Sequence, residues 1–370
     1  MSDQLQGIGE DLERLAFLYE HYINPVNLRN GPGDQEIQDL IRDKHILITG
    51  CGTIGAALLA LVLPYNPAKV TLVDSSEISL QRIKRNYDGQ EFGPRLAYKL
   101  LDICSRSSVD EMFRLGKFDI VLHTAACKHL TLLEDNVRRA VEVNLGGSIN
   151  LVESAISNGV DRFVFVSTDK AVEPTSVLGM TKSLAECYVR GRQSDSDHTV
   201  FSIARFGNVF GSSGSLVPII VEQIKNQKPL TVTDPQAERF FLTEGEASRL
   251  VLMACVLGKG AETFIFDMGK PISIGAVVAF LLQKHDPTRS LGDSMLVTGL
   301  GPGEKKKEQI VSKGAEMVLT PYEGILKVEE GRLYPDTAQI RLFFGKSTIW
   351  DSDELLSKLM DLTGVTIRHK

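Results

Sequence analysis

The sequence predicts an α/β fold, a doubly wound parallel sheet of the Rossmann type with a smaller C-terminal substrate-binding lobe. From His45 onward, short apolar strands alternate with apolar helical stretches, which is the pattern of parallel β-α-β units. A glycine-rich turn, residues 50–55, stands directly between the first strand and the first of these helices. Beyond Arg205 the alternation weakens and glycine and proline punctuate shorter elements, which favours a separate lobe.

Six strands are predicted for the sheet, at residues 46–49, 70–74, 97–101, 118–123, 162–166 and 199–204. They define a Rossmann domain over residues 44–205, to which residues 234–268 return. The lobe is predicted over residues 206–233 and 269–345, and a helical tail over residues 346–370. Residues 1–43 are predicted as an N-terminal helical extension because apolar residues recur there at helical spacing, namely Leu12, Leu15, Ala16, Leu18 and Tyr19.

Composition argues against several classes of protein. The chain has 370 residues, 43% hydrophobic and 24% charged, and its net charge of -6 gives no positive field that would attract nucleic acid. The five cysteines are scattered singly without metal-ligand spacing, which predicts a cytoplasmic protein with no metal site. No secretory leader is evident, and no apolar run approaches the roughly 20 residues of a membrane span.

The glycine-rich turn has the pattern GxGxxG, formed by Gly50, Gly52 and Gly55. In this pattern the first glycine allows the tight turn, the second lets the backbone approach a diphosphate, and the third lets the helix pack on the strand. The amides at the start of the helix then point at the diphosphate of a dinucleotide. A tight turn that binds nothing is the alternative, but the flanking strand and helix favour binding.

Acidic residues after the next strands refine this prediction. Asp74 ends the second strand, where a carboxylate accepts both ribose hydroxyls of NAD and repels the 2′-phosphate of NADP. The Rossmann domain is therefore predicted to bind NAD, although Arg82 and Arg85 on the next helix leave NADP as the alternative. Asp102, after the third strand, is predicted either to bind the adenine amino group or to cap a helix.

Candidate catalytic residues follow the fifth strand. Thr168, Asp169 and Lys170 place a hydroxyl, a carboxyl and an amine in succession, and Lys182 follows on a helical stretch. Because open parallel sheets bind ligands at the carboxyl ends of their strands, we expect these groups to lie beside the nicotinamide. A solvated turn is the alternative.

Several stretches taken together resemble the extended short-chain dehydrogenases/reductases, specifically the polysaccharide-biosynthesis branch of nucleotide-sugar 4,6-dehydratases. These stretches are residues 125–129, Asn144, and residues 167–174, 205–209, 211–215, 264–269 and 302–305. The resemblance runs from about His45 to at least Glu304. It implies NAD as cofactor and a UDP-linked N-acetylhexosamine, such as UDP-N-acetylglucosamine, as substrate.

The chemistry implied by the resemblance oxidises the sugar at C4, eliminates water across C5 and C6, and returns the hydride to C6. Oxidation at C4 makes the C5 proton acidic, so a base must take it while an acid protonates the leaving hydroxyl. The resemblance assigns Lys170 as the base, Asp169 as the acid and Thr168 as the hydrogen-bond partner of the C4 oxygen. Lys182 is expected to hold the nicotinamide ribose.

The sequence departs from the family pattern at three places. Leu178 stands where most members have a tyrosine base, and it resembles a dehydratase subgroup that has methionine there and relies on the threonine. The glycine loop is one residue shorter than the usual GxxGxxG of that subgroup, and Gly301 replaces an expected arginine. These departures keep two rival functions open: a C4 or C5 epimerase of the same fold, and a non-catalytic NAD-binding scaffold.

Strand ends, the glycine turn and the resemblance together give the predicted binding residues. The predicted cofactor contacts are Gly50, Gly52, Thr53, Ile54, Gly55, Asp74, Ser75, Asp102, Ile103, Ala125, Ala126, Lys128, Asn144 and Lys182. The predicted substrate contacts are Lys128, His129, Arg205, Asn208, Ser213, Ser215, Arg239 and Glu304. Arg205 and Arg239 are expected at the diphosphate, with surface ion pairs as the alternative, and Asn144 is either a cofactor contact or a kink in its helix.

The resemblance also implies a homo-oligomer, since relatives commonly form dimers or hexamers. The N-terminal helix is expected to pack either on a second subunit or on the core of its own chain.

Overall fold

The computed structural model describes residues 9–24, 33–331 and 335–365. Its strands are β1 (His45–Thr49), β2 (Lys69–Asp74), β3 (Leu96–Leu100), β4 (Ile120–His123), β5 (Arg162–Thr168), β6 (Val200–Phe206), β7 (Asn208–Val209), β8 (Leu230–Val232), β9 (Glu238–Arg239), β10 (Phe241–Leu242), β11 (Glu262–Phe266), β12 (Ile272–Ser273), β13 (Met295–Val297), β14 (Glu316–Leu319) and β15 (Ile325–Glu329).

Its α-helices are α1 (Gly9–Ile23), α2 (Asp34–Ile41), α3 (Thr53–Val62), α4 (Glu77–Tyr87), α5 (Arg106–Gly116), α6 (Leu130–Glu134), α7 (Val137–Ala140), α8 (Ser148–Ser157), α9 (Val177–Gly191), α10 (Leu216–Lys225), α11 (Glu244–Leu257), α12 (Ile274–His285), α13 (Leu291–Ser294), α14 (Thr337–Lys346) and α15 (Ser352–Thr363). A π-helical segment, Val141–Gly147, joins α7 to α8. Within the described residues, no helix is both long and apolar enough to span a bilayer.

The central sheet has nine strands in the order β14-β15-β11-β6-β5-β4-β1-β2-β3. The strands from β11 to β3 pair in parallel, whereas β15 and β14 join antiparallel at the far edge. The predicted doubly wound parallel sheet is therefore confirmed: the six predicted strands, β1 to β6, all belong to it, and β11, β14 and β15 are added beside β6. β14 and β15 fall within the range predicted for the lobe, although they pair into the sheet; the domain boundaries themselves stay a prediction.

Helices cover both faces of the sheet because successive strand residues point to opposite sides. In β1, Leu47 packs into the core cluster that contains α5, α8 and α9, whereas Ile46 and Ile48 pack into the cluster that contains α3 and α11. Both clusters consist mainly of buried aliphatic and aromatic side chains, so the sheet is enclosed on both faces, as parallel sheets require.

A third apolar cluster forms the smaller lobe from α10, α12 and the short strands around them. Leu15 and Leu18 of α1 are fully buried in this cluster. Of the two expected locations for the N-terminal helix, the structure shows packing on the core of its own chain.

A buried ion network joins the edge of the sheet to α9. Arg205 at the end of β6 binds the Glu186 carboxylate of α9 through two nitrogens, and it also lies 2.6 Å from Glu330 after β15. Both Arg205 and Glu186 are only 2% exposed. Arg190 pairs with the same two glutamates. The network fixes α9, which carries Lys182, against the sheet.

We predict that Arg205→Met destabilises the fold by about 3–5 kcal/mol, because it leaves the Glu186 charge buried with less compensation. The free energy of unfolding in urea measures this effect. Arg106→Met is the matched control: it removes a half-exposed partner of Asp110 on α5 and is expected to change stability by less than about 1 kcal/mol. Equal effects of the two substitutions would contradict the structural role of the Arg205 network.

Candidate active site

A cavity of about 850 Å³ opens at the carboxyl ends of the parallel strands. Residues at the ends of β1 to β5 line it, together with residues 206–209 and 212–217. The strand order reverses between β1 and β4, which is the position where doubly wound sheets bind their ligands.

The glycine turn has the geometry of a diphosphate cradle. Gly50 has φ +85°, and a Cβ atom there would lie 2.6 Å from Ala125 N. A Cβ atom on Gly52 would meet nothing within 4 Å, so the backbone is open to a ligand at this point. A Cβ atom on Gly55 would overlap the carbonyl oxygen of Gly50, so only glycine lets α3 approach β1 this closely. The three roles expected for these glycines agree with the geometry, and the turn fits a dinucleotide.

The carboxylate of Asp74 lies beside this turn and faces the cavity. It accepts hydrogen bonds from Cys51 N at 2.6 Å and from Ser76 N at 2.7 Å, so its position is fixed by backbone donors. Arg82 donates to Cys51 O, at 3.3 Å. Asp102 also lines the cavity, where it accepts from Cys104 N and pairs with Arg139.

Most predicted cofactor contacts line the cavity: Gly50, Gly52, Thr53, Ile54, Asp74, Ser75, Asp102, Ile103, Ala125, Ala126, Lys128 and Lys182. Two do not. Gly55 packs inside the turn, and Asn144 is buried in the π-helical segment. The Asn144 amide holds the backbone of Cys127 on both sides, through Cys127 N at 2.8 Å and Cys127 O at 3.1 Å. Of the two readings left open for Asn144, this geometry supports a structural role.

Three of the four predicted catalytic residues, Thr168, Lys170 and Lys182, line the cavity together. The fourth, Asp169, is fully buried behind them. Its Oδ1 atom accepts from the Thr168 hydroxyl at 2.9 Å and from Lys170 Nζ at 3.0 Å. Lys170 Nζ also donates to Asn208 Oδ1, at 3.2 Å. Hydroxyl, carboxylate and amine therefore form one connected cluster, with the hydroxyl and the amine on the cavity side.

Glu308 belongs to this cluster and was missed by the sequence analysis. Its side chain is 1% exposed and lies 3.7 Å from Lys170 Nζ and 3.6 Å from Lys305 Nζ. In the sequence it follows three consecutive lysines, a pattern typical of a solvated surface segment. The signal that could have found it is its closeness to the 302–305 stretch, which the family resemblance had already marked.

Lys182 stands on α9 in an apolar environment. Its Nζ donates to Val166 O at 2.7 Å and lies 3.8 Å from the centre of the Phe165 ring. Burial lowers the pKa of Lys182 from about 10.5 to about 7, against the opposing effect of the Glu186 carboxylate. Leu178, one helical turn before it, also lines the cavity, so no hydroxyl stands at the tyrosine position.

The predicted substrate contacts divide into two groups. Lys128, His129, Asn208, Ser213 and Ser215 line the cavity, whereas Arg205, Arg239 and Glu304 do not. The expectation that Arg205 contacts the diphosphate needs correction, since its guanidinium is occupied by the buried network described above. Arg239 is 5% exposed and binds Glu304 at 3.2 Å, so these two residues partner each other in this structure.

The remaining polar groups on the substrate side are available to a ligand. Ser215 Oγ is buried and finds no hydrogen-bond partner among the described residues. Burial lowers the pKa of Lys128, whose Nζ donates to Ser213 O at 2.7 Å. Across the same described part of the chain, no three His, Cys, Asp or Glu side chains are grouped as metal ligands.

A sequence model of the family described as "Polysaccharide biosynthesis protein" matches residues 46–330. The chain belongs to this family. The proteins of this family are extended short-chain dehydrogenases/reductases, and the observed parallel sheet and glycine turn agree with this. The match covers every residue of the cluster around Lys170, but it leaves out α1, α2, α14 and α15.

The names of two curated relatives describe different roles. The capsular polysaccharide biosynthesis protein CapD of Staphylococcus aureus is 37% identical over 294 residues, which cover 78% of this chain. The chain spans about half, 48%, of the length of that relative. The UDP-glucose 4-epimerase of Rickettsia canadensis is 32% identical over 277 residues, 73% of this chain and 78% of the epimerase.

Solved structures give the same fold. Pen from Bacillus thuringiensis is 30% identical and superposes with a TM-score of 0.74, over 80% of this chain and 91% of that one. A double mutant of DesIV, a dTDP-glucose 4,6-dehydratase from Streptomyces venezuelae with NAD bound, gives a TM-score of 0.63 at 21% identity. That alignment covers 72% of this chain and 87% of DesIV, and it is a likeness of fold.

We predict that Lys182 makes stability rise with pH above neutrality. The unfolded chain keeps the Lys182 proton up to about pH 10.4, whereas the folded chain releases it near pH 7. Raising the pH through this window therefore favours the folded state, by on the order of 2 kcal/mol between pH 7 and pH 9. Urea unfolding of the wild type and Lys182→Met at both pH values measures the difference. Parallel changes in the two proteins would show that Lys182 stays charged.

Proposed function

We propose that the chain is an NAD-dependent nucleotide-sugar 4,6-dehydratase that converts a UDP-N-acetylhexosamine into its 4-keto-6-deoxy derivative, for surface polysaccharide or glycan precursors. The observation that carries this proposal is the continuity of one cavity. The glycine turn, Thr168 and Lys170, and residues 212–217 all line this one cavity. Such a cavity has room for a dinucleotide together with a nucleotide sugar. The sugar ring would then lie beside Thr168 and Lys170.

The residues that would hold NAD follow from the geometry of the groove. The amides at the start of α3 and the open backbone at Gly52 would bind the diphosphate. Asp74 would accept the adenosine ribose hydroxyls, and Lys182 would hold the nicotinamide ribose. Bound NAD would supply the reversible oxidation that the reaction needs.

Thr168 and Lys170 would handle the protons of the sugar. Leu178 transfers no proton, so the Thr168 hydroxyl is left as the hydrogen-bonding group for the C4 oxygen. Lys170 Nζ faces the cavity and would take the C5 proton once a ketone at C4 has made it acidic. Because Nζ contacts Asp169 Oδ1, that proton can pass to Asp169 without entering solvent.

Asp169 itself does not reach the cavity, so its proposed role as the acid at C6 needs a relay. Its Oδ1 atom is bound only to the Thr168 hydroxyl and the Lys170 amine among the described hydrogen bonds. A proton from Asp169 would therefore reach the leaving C6 hydroxyl through one of these two groups. Because the Thr168 hydroxyl is already assigned to the C4 oxygen, we assign the transfer to Lys170, whose Nζ lies 3.0 Å from Asp169 Oδ1.

A nucleotide-sugar epimerase is the second candidate, and the epimerase from Rickettsia canadensis favours it. An epimerase needs reversible oxidation but no acid for a leaving hydroxyl. The buried Asp169 beside Lys170 supplies such an acid, which is why we rank elimination first. A non-catalytic scaffold is the third candidate, and Leu178 is the residue that favours it.

We predict that incubation with NAD and UDP-N-acetylglucosamine gives a product lighter than the substrate by one water, without accumulation of NADH. In deuterated water the product should carry deuterium at C5, where the base acts. Mass spectrometry reads both changes. An epimerised sugar of unchanged mass would replace the dehydratase with the epimerase. Unreacted substrate from every UDP-hexosamine tried would support the scaffold.

We predict that Lys170→Ala lowers kcat by about 10²–10⁴-fold, the usual contribution of a positioned acid or base. Binding of NAD should stay unchanged, because Lys170 lies beyond the groove of the glycine turn. Lys305→Ala is the matched control: it removes the other ammonium beside Glu308, but its side chain does not line the cavity. A Lys170→Ala enzyme with the kcat of the wild type would remove Lys170 from the mechanism.

A further inference from the structure

Residues 211–215, which we call the covering loop, lie over the glycine turn and contact α1. The helix α1 is outside the residues that the family model matches. We propose that Tyr22 of α1 is a positioning residue that holds the covering loop closed over the dinucleotide groove and so slows release of the dinucleotide. The inference rests on the proposed function in one respect, namely that the groove binds a dinucleotide.

The backbone of Ser213 is held from the groove side by two hydrogen bonds. Ser213 N donates to Thr53 Oγ1 at 3.2 Å, and Ser213 O accepts from Lys128 Nζ at 2.7 Å. Thr53 is the first residue of α3, directly after the open backbone of Gly52. The covering loop therefore crosses the place where the diphosphate would bind. A dinucleotide that leaves in this direction has to break both hydrogen bonds.

Two glycines give the covering loop its path. Gly211 has φ +76° and Gly214 has φ +71°, a backbone region that other residues adopt only at a cost. At Gly214, a Cβ atom would lie 2.8 Å from His129 Cε1, so the loop lies directly against that side chain. At Gly211, a Cβ atom would overlap the ring of Tyr22.

Tyr22 thus packs under the start of the covering loop. Its ring also makes an edge contact with Phe210 at a centroid distance of 6.2 Å, and Phe210 in turn contacts Phe241 at 5.8 Å. Phe241 lines the cavity. A continuous set of aromatic contacts therefore joins α1 to Phe241 in the wall of the cavity, as well as to the covering loop.

The helix that carries Tyr22 is firmly anchored, so its position can be imposed on the loop. Arg14 binds the Glu246 carboxylate through two nitrogens, at 2.9 and 3.0 Å, and it also donates to Phe241 O at 3.1 Å. Leu15 and Leu18 are fully buried. Phe17, on the same helix, packs on His21 and Arg14 of α1 and provides a comparison residue away from the covering loop.

The experiment measures the rate at which bound NAD is displaced by excess competitor in stopped flow. Tyr22→Ala should accelerate release by about tenfold, the size of a contact coupling near 1.4 kcal/mol. Tyr22→Phe, which keeps the ring, should restore the wild-type rate. Phe17→Ala removes another aromatic ring from α1 and should leave the release rate unchanged. The Kd for NAD should rise in Tyr22→Ala while kcat at saturating NAD stays the same.

Hydrogen exchange of the nucleotide-free protein gives a second readout that needs no cofactor. Tyr22→Ala should accelerate exchange of the Ser213 amide, which donates to Thr53 in the closed loop. Equal release rates in Tyr22→Ala and wild type would overturn the inference, as would equal acceleration in Phe17→Ala, which would indicate general loosening of α1. Failure of the wild type to bind NAD would instead overturn the proposed function, and hydrogen exchange would still decide the role of Tyr22.

A double substitution tests the contact itself. Gly211→Ala should disturb the covering loop both through its positive φ and through overlap with the Tyr22 ring. In the Tyr22→Ala background only the backbone effect remains, so Gly211→Ala should accelerate NAD release by a smaller factor there than in the wild type. Equal factors in the two backgrounds would show that Gly211 and Tyr22 act independently and would contradict the proposal.

Discussion

The close approach of Gly55 to the carbonyl oxygen of Gly50 is the constraint on which the site depends. Any side chain at position 55 would push α3 away from β1, and the first turn of α3 would then no longer face the groove. With glycine there, the start of α3 lies at the carboxyl end of β1 and Gly52 leaves open space above it. The same placement lets Thr53 receive the Ser213 amide. The contact between Gly55 and the Gly50 carbonyl oxygen therefore positions both the groove and Thr53, to which the covering loop binds.

Parallel pairing brings the other functional groups to the same edge. The stretch after β4 supplies Lys128, and the end of β5 with the turn that follows it supplies Thr168 and Lys170, although many residues separate them in the chain. Ser176 then caps the start of α9, and its hydroxyl accepts a hydrogen bond from the Gly179 amide. This start sets the helical phase that turns both Leu178 and Lys182 toward the cavity. An apolar residue at 178 keeps the surroundings of Lys182 dry, and burial is what lowers its pKa.

The sequence allowed prediction of those parts of the site that local pattern determines. The glycine turn and the Thr168–Lys170 stretch could be predicted because a strand followed by a turn fixes where their residues lie. Arg205 could not, because it and Phe206 are adjacent on β6 and point to opposite faces: Phe206 lines the cavity and Arg205 meets Glu186. The sequence motif does not indicate whether Arg205 or Phe206 points toward the ligand. Glu308 was missed because a loop brings it to Lys170, and loop paths have no periodic signal.

The flanking helices act on the site without supplying reacting groups. All groups that meet in the cavity lie within the residues that the family model matches, so α1, α14 and α15 cannot change which atoms face a substrate. They can change how firmly those atoms are held. At the C-terminal side, the Phe344 ring packs on Gly146 in the π-helical segment, and Ile340 and Leu355 are fully buried in the cluster that contains α9. Helices α14 and α15 thus support α9, which carries Lys182, and α1 supports the covering loop. In the proposed arrangement, release of the dinucleotide is therefore tuned from outside the family core while the chemistry of the site stays unaltered.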